Sequence, residues 1–324
     1  MIDMNELELA LARLRAGELV AIPTETVYGL AADAANLDAV ARIFALKGRP
    51  ADHPVIVHIA GSAQLPQWAR DIPDSAWKLA EAFWPGPLTL ILKRQPHVLD
   101  AVTGGQDTVG LRAPAHPLTH ELLVRFDGGL AAPSANRFGH VSPTRAHHVR
   151  DEFGAECPLV LDGGPCDVGV ESTIVSLAGE HPVLLRPGGV TREAIEALLN
   201  TPLLHHQDSA SAKMRASGLL DSHYSPRTPL VTGEYANILP AIEQALAAGE
   251  PIAIISIGTW PAHGPQGDVY PMPDNPEQYA RLIYDKLRQL DKQTYSRIFL
   301  QLPPITPGWL AVNDRLRRAA HSRI

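Results

Sequence analysis

Apolar positions recur at helical spacing through residues 5–17, NELELALARLRAG, and stop at a glycine, which predicts a first helix. ELVAI (18–22) then reads as a strand, and NLDAVARIFALKG as a helix running from Asn36 to a stop at Gly48. PVIVHI (54–59) has the continuous apolar run of a short strand buried on both faces. SAWKLAEAFWPG is helical up to its Pro-Gly, and LTLILK and TVGLRAP follow as strands. A helix near 117–126, a strand at GLAAP and a helix opened by Ser142-Pro143 come next. LVLDGG, STIVSL and VLLRPGG are further strands, and a Thr191 cap starts TREAIEALL. Seven or eight strands interleaved with helices predict an α/β domain with one large sheet.

Periodicity is lost over residues 201–228, TPLLHHQDSASAKMRASGLLDSHYSPRT, where Ser, Ala and His accumulate, as expected of a linker. From 229 the pattern resumes as strand, helix (237–249), strand IAIIS, strand DVYPM, helix (276–290), strand RIFLQL and helix (309–319). That order predicts a small parallel-sheet, Rossmann-like domain, and with no G-x-G-x-x-G after its first strand it is not read as a dinucleotide site. The division expected is 1–204 for the first domain, 205–228 for the linker and 229–324 for the second domain. No internal repeat is present.

Composition narrows the function. The chain has 324 residues and a formal net charge of −7, with 16 Lys+Arg against 24 Asp+Glu in residues 1–200. Lysine occurs there only at 47, 78 and 93. Nucleic-acid binding along a whole face calls for a basic excess, so the balance favours a small charged ligand held by a few placed cations. No apolar run approaches the roughly 20 residues of a membrane helix. The acidic start, MIDMNELELA, does not read as a signal peptide, and two cysteines, Cys157 and Cys166, match no metal spacing. The expectation is a cytoplasmic protein with free thiols and no structural metal.

Candidate chemistry gathers at element ends, where open α/β sheets collect ligands. Thr24 and Thr26 follow the first strand, with Glu25 between them; Lys47 and Arg49 follow a helix; His58 interrupts an apolar strand and Arg112 ends another. Ser134 and Asn136 in APSAN, Ser142 before a helix, Glu171 and Ser172 in GVESTI, and Arg186 before a Gly-Gly turn complete the set. Taken singly, each has a plain alternative. Lys47 suits a helix C-terminus, His58 a satisfied core histidine, Ser142 an N-cap and Arg112 an ion pair with a surface carboxylate. Glu25 and Glu171 would form a catalytic pair only if the fold brought them together.

The order of the segments is more specific than any residue. PTETVYGL, KGRP, HPVIVHI, WPGPLTLIL, VGLRAPAHP, APSANRFGHVSPT, GVESTIVSL and LLRPGGVT follow one another over residues 5–200. Together they resemble the YrdC-like family of threonylcarbamoyl-AMP synthases. His223-Tyr224-Ser225-Pro226 in the linker, with a further α/β domain behind it, resembles the family's long form, whose linker carries a His-Tyr-Ala-Pro-type motif. The resemblance implies a twisted sheet enclosing a deep concave cavity. It also implies a reaction joining L-threonine, bicarbonate and ATP into L-threonylcarbamoyladenylate with release of pyrophosphate. Mg²⁺ would accompany ATP, and the product would pass to a separate transferase that modifies tRNA beside the anticodon.

By the same resemblance Thr24, His58, Arg112 and Ser172 would hold threonine, with Ala132 contributing backbone. Lys47, Arg49, Thr108, Ser134, Asn136, Ser142 and Arg186 would face the nucleotide, and Tyr224 would cover it. No protein metal ligand and no general base are identified, and such chemistry needs no enzyme nucleophile. The rival reading is an RNA-binding module on the same concave sheet, against which the acidic balance counts, as it does against direct tRNA binding.

Overall fold

The computed structural model describes residues 4–205, 224–261, 264–265 and 267–324. The chain divides into two compact units. The first comprises the described residues of Met1–Phe138, Pro143–Asp167 and Glu171–Leu219; the second comprises those of Gly139–Ser142, Val168–Val170 and Leu220–Ile324. Most of the sequence-read linker, including His223, lies outside the described residues.

In the first unit α1 (Met4–Arg15), β1 (Val20–Ile22), β2 (Gly29–Asp33) and α2 (Leu37–Lys47) lead to β3 (Ile56–His58). The short α3 (Leu65–Trp68), α4 (Asp74–Phe83), β4 (Leu88–Lys93), α5 (Asp100–Thr103) and β5 (Thr108–Arg112) follow. Then come α6 (Pro117–Phe126), β6 (Leu130–Ala131), α7 (Ala146–Phe153), β7 (Leu159–Val160), β8 (Thr173–Ser176), β9 (Val183–Arg186), α8 (Arg192–Leu199) and β10 (Leu204–His205). Local chemistry sets the ends. The Asn36 side chain accepts from the Asp38 and Ala39 N–H groups, Gly48 closes α2 at φ 61°, and Thr191 caps α8 through the Ala194 N–H.

The ten strands form one mixed sheet in the order β10-β9-β8-β4-β5-β3-β6-β2-β1-β7. Two strands beyond the seven or eight expected are β2 and β10. GLAAD at β2 is small and apolar without alternation, so it carried no strand signal; it pairs antiparallel with both β1 and β6. The helix expected to open at Ser142-Pro143 begins instead at Ala146, capped by Arg145 without a side-chain bond. Pro143 is unavailable for a helix because its carbonyl accepts from the Tyr28 N–H (2.8 Å) in an extended segment.

The sheet register assigns faces. Val57, Leu88, Leu90, Leu92, Val109, Leu111, Ala131 and Val175 alternate onto one face and join the main apolar core. The opposite face carries a smaller cluster of Ile91, Ile174, Val183 and Leu185 near β4, β8 and β9. Further along that same face Leu130 and Ala132 pack with Leu7, Leu11, Leu14, Leu122 and Leu123 of α1 and α6. Between those two clusters the sheet presents its polar side chains.

The second unit repeats the pattern expected of it. β11 (Leu230–Gly233), α9 (Tyr235–Ala247), β12 (Ile252–Ile257), β13 (Asp268–Met272), α10 (Pro276–Leu290), β14 (Arg297–Gln301), α11 (Leu310–Ala319) and β15 (Ser322–Arg323) occur in that order. Its sheet, β13-β12-β14-β11-β15, is parallel throughout. Asn275 caps α10 with Pro276 at the first helical position. Only β15 lacked a signal in the sequence, since a two-residue strand has no period to read.

Candidate active site

Cross-strand partners point to the same side of a sheet, so register alone gathers several candidates. His58 of β3 lies opposite Arg112 of β5, and Ile56 opposite Gly110. Thr108, Gly110 and Arg112 alternate onto that same face, and Leu130 opposite His58 extends it toward Ala132. On the other flank Thr89 of β4 faces Ile174. Two residues of β9 then occupy one step of β8, because Val175 pairs with Leu184 and Ile174 with Arg186. This bulge turns Arg186 onto the face of Ile174. His58, Arg112, Ala132 and Arg186 therefore share one side of the sheet, with Thr89 between them, and the Ser172 hydroxyl meets both Thr89 and Arg186.

Arg112 is 4% exposed and held on two sides. Its Nη2 donates to Glu25 Oε1 (2.7 Å) and its Nε to the Gly86 carbonyl (3.3 Å). Glu25 Oε2 accepts from the Ala115 N–H (3.0 Å), so both carboxylate oxygens are engaged. Glu25 is thus the partner of Arg112. His58 is also buried, and burial, reinforced by the Arg112 charge, pushes its pKa down to about 3. The imidazole is neutral at pH 7, and its Nδ1 has no hydrogen-bond partner among the described residues.

Thr24 shapes its own loop. Its Oγ1 lies 2.6 Å from the Val27 carbonyl and 2.8 Å from Thr26 Oγ1, and accepts from the Thr26 and Val27 N–H groups (3.2 Å each). Tyr28 Oη donates to the Gly164 carbonyl (2.8 Å) and accepts from the Gly163 N–H (3.2 Å). On the far flank Ser172 Oγ lies 2.8 Å from Thr89 Oγ1 and accepts from Arg186 Nη2 (3.2 Å), while Arg186 Nε donates to the Ser172 carbonyl (3.1 Å). Gly188 makes this junction possible: a Cβ there would lie 2.3–2.4 Å from the backbone of Glu171, Ser172 and Thr173.

Lys47 is not an open ammonium. Its Nζ donates to the Ser134 (2.6 Å) and Asn136 (2.5 Å) carbonyls, fixing the APSAN loop, which itself bridges to Gly29 at Ser134. Burial first, and then the neighbouring Arg49 charge, hold the lysine well below its ordinary pKa. Arg49 Nη2 donates to the Pro54 carbonyl (2.9 Å) and its guanidinium lies over the Phe138 ring. Thr108 opens β5 while Arg112 ends it, about 13 Å away at strand rise. It is not brought beside Arg112. Ser142 and Tyr224 belong to the second unit. There Tyr224, buried at φ 65°, stacks on Tyr284 (6.0 Å) beneath the Arg315 guanidinium (5.4 Å). A bulky residue in that backbone region is held by its surroundings.

One side chain and one pairing went unread in the sequence. Thr89 is a lone hydroxyl in the apolar LTLILK, the kind of interruption that singled out His58. The Glu25–Arg112 pair spans 87 positions and left no local signal. Cys157 and Cys166 are free thiols, and burial pushes Cys166 up to about 12.

Comparison with known proteins identifies the family. A family model of Sua5, YciO and YrdC proteins, described as "Telomere recombination", matches residues 12–188. A second, described as "Threonylcarbamoyl-AMP synthase, C-terminal domain", matches residues 190–321. The threonylcarbamoyl-AMP synthase of Pyrococcus abyssi is 40% identical over 333 residues, spanning 100% of this chain and 96% of its own length. That of Bacillus subtilis is 40% identical over 331 residues, spanning 97% and 93%. The crystal structure of P. abyssi Sua5 complexed with L-threonine matches with a TM-score of 0.91 at 38% identity, over 100% of this chain and 97% of that one. E. coli YciO, at 20% identity and TM-score 0.52, shares the fold over 60% of this chain.

Proposed function

The chain belongs to the Sua5/YrdC family of threonylcarbamoyl-AMP synthases, and we propose that it joins L-threonine, bicarbonate and ATP into L-threonylcarbamoyladenylate and pyrophosphate. The observation that carries this reading is the polar stretch on one sheet face, where a buried, braced Arg112 sits beside a neutral His58. A free amino acid brings a carboxylate, and a fixed guanidinium answers it. On this reading Thr24, His58, Arg112, Ser172 and the Ala132 backbone form the threonine end. Lys47, Arg49, Thr108, Ser134, Asn136 and Arg186 form the nucleotide end.

The roles divide by what the side chains already do. Thr24 folds the loop that presents Glu25, and Glu25 aims Arg112. Thr89 and Arg186 hold the Ser172 hydroxyl, which a threonine hydroxyl could meet. Lys47 sets the Ser134–Asn136 loop, so its part in nucleotide binding runs through backbone placement. The threonine amine, in its neutral form, adds to CO₂ with loss of its proton to solvent, or condenses with bicarbonate with release of water, to give a carbamate. A carbamate oxygen then attacks the α-phosphorus in line, the bond to the bridging oxygen breaks, and pyrophosphate leaves. Positioning and charge stabilisation carry such a transfer, with effective molarities up to about 10⁵ M or more from orientation alone.

Mg²⁺ suits this site as a companion of the nucleotide. Phosphate oxygens would supply most of its ligands. The ion would neutralise triphosphate charge. We assign catalysis to residues 1–204, connection to 205–228 and a separate α/β domain to 229–324. Among the described residues no helix is long and apolar enough to cross a membrane, and we place the protein in the cytoplasm, handing its product to a tRNA-modifying transferase. Pyrophosphate release from ATP in bicarbonate buffer tests the proposal. It should depend on L-threonine, with serine a poor substitute, and should proceed without RNA; release independent of threonine would overturn the assignment.

A further inference from the structure

Arg112 does not enter the site as a bare cation. Its guanidinium and the Glu25 carboxylate are both nearly excluded from solvent, at 4% and 8% exposure, and lie 2.7 Å apart. The neighbouring imidazole of His58 is neutral, so these three side chains together carry no net charge. A buried neutral site resists a simple anion, because net charge taken out of water without compensation is costly. A zwitterion adds no net charge. A carboxylate has about four lone-pair directions, and Glu25 has spent one on Arg112 and one on the Ala115 N–H. Two acceptor directions are left beside the guanidinium. In an α-amino acid the carboxylate and ammonium are two bonds apart, matching a guanidinium and a carboxylate in contact.

Resting on the threonine-end assignment of Arg112 given above, we propose that Glu25 is a specificity-determining residue: with Arg112 it forms a dyad that reads the α-ammonium together with the α-carboxylate. The site therefore selects amino-acid zwitterions against hydroxy acids and other small monoanions. Glu25 acts through direct contact with the ammonium, and also through Arg112, whose guanidinium it fixes against the Gly86 carbonyl.

The test is calorimetric binding to the full chain of two ligands, L-threonine and the dihydroxybutanoate in which hydroxyl replaces the α-ammonium. The wild type should prefer threonine by about 100-fold, the discrimination expected when a site built around a charged donor meets an analogue lacking it. Glu25→Gln removes the charge and one of the two acceptor oxygens. It should cut that preference at least about tenfold, by weakening threonine while the hydroxy acid binds as before or tighter. Equal weakening of both ligands would overturn the proposal, because a merely structural residue moves both together. Arg112→Ala separates the two layers: loss of both ligands is expected, whereas undiminished threonine binding would remove the assignment of Arg112 and the dyad with it. Should Glu25→Gln fail to fold, the wild type decides alone with L-threoninamide as third ligand. Weak binding of both the anion and the amide cation supports the dyad, and a hydroxy acid binding within about threefold of threonine contradicts it.

Discussion

Arg112 and His58 sit side by side on adjacent strands, one permanently charged and one held neutral. Truncating a buried, hydrogen-bonded cation costs about 2–5 kcal/mol in binding its counter-ion. Arg112→Ala should therefore weaken threonine binding at least about 30-fold, with ATP affinity changed far less; equal loss of both, measured by calorimetry, would refute the role. His58 makes a separate prediction for stability. Its folded pKa of about 3 lies below the unfolded value, so the unfolded chain takes up the proton first. The contribution is fully present above about pH 6.5 and is lost as pH falls toward 3. Between pH 7 and pH 5 the wild type should lose about 2 kcal/mol more than His58→Gln in urea unfolding, and parallel curves for the two would contradict the neutral-histidine account.

At the scale of elements, the site exists because strands of different hands meet in one register. Parallel β3–β5 aligns His58 with Arg112, while the β8–β9 bulge re-aims Arg186. Gly188, two residues past the end of β9, is packed against the Glu171–Thr173 backbone that leads into β8. Gly188→Ala would drive a Cβ into backbone atoms that have no rotamer to escape with, so a loss of about 2–4 kcal/mol is expected in denaturant unfolding. A change within about 0.5 kcal/mol would mean that β8 and β9 can part freely. Much of this level was legible in sequence: Asn36, Gly48 and Thr191 mark helix ends where they were read. The small residues of β2, the two-residue β10 and β15, and the start of α7 were not, since each is decided by pairing with distant chain. Pro143 shows the reason most plainly, because Tyr28, 115 positions earlier, claims its carbonyl.

Taken whole, the molecule couples an acidic first unit to a smaller parallel-sheet unit, and its chemistry lies in convergence. Eight ordered segments allowed the family to be read from the chain, and the candidate residues lie at element ends, where ligand groups collect. Partnerships were not legible. Nothing in the sequence ties Glu25 to Arg112, Lys47 to the Ser134 and Asn136 carbonyls, or Thr89 to Ser172, because each pairing is made by folding across 83 residues or more. Those pairings turn several presumed ligand contacts into supports for others. The most direct measurement is mass spectrometry of the product formed from ATP and L-threonine in isotopically labelled bicarbonate. The label should appear in an adenylate that also contains threonine; an adenylate without it, or labelled carbon found only free in solution, would contradict the account.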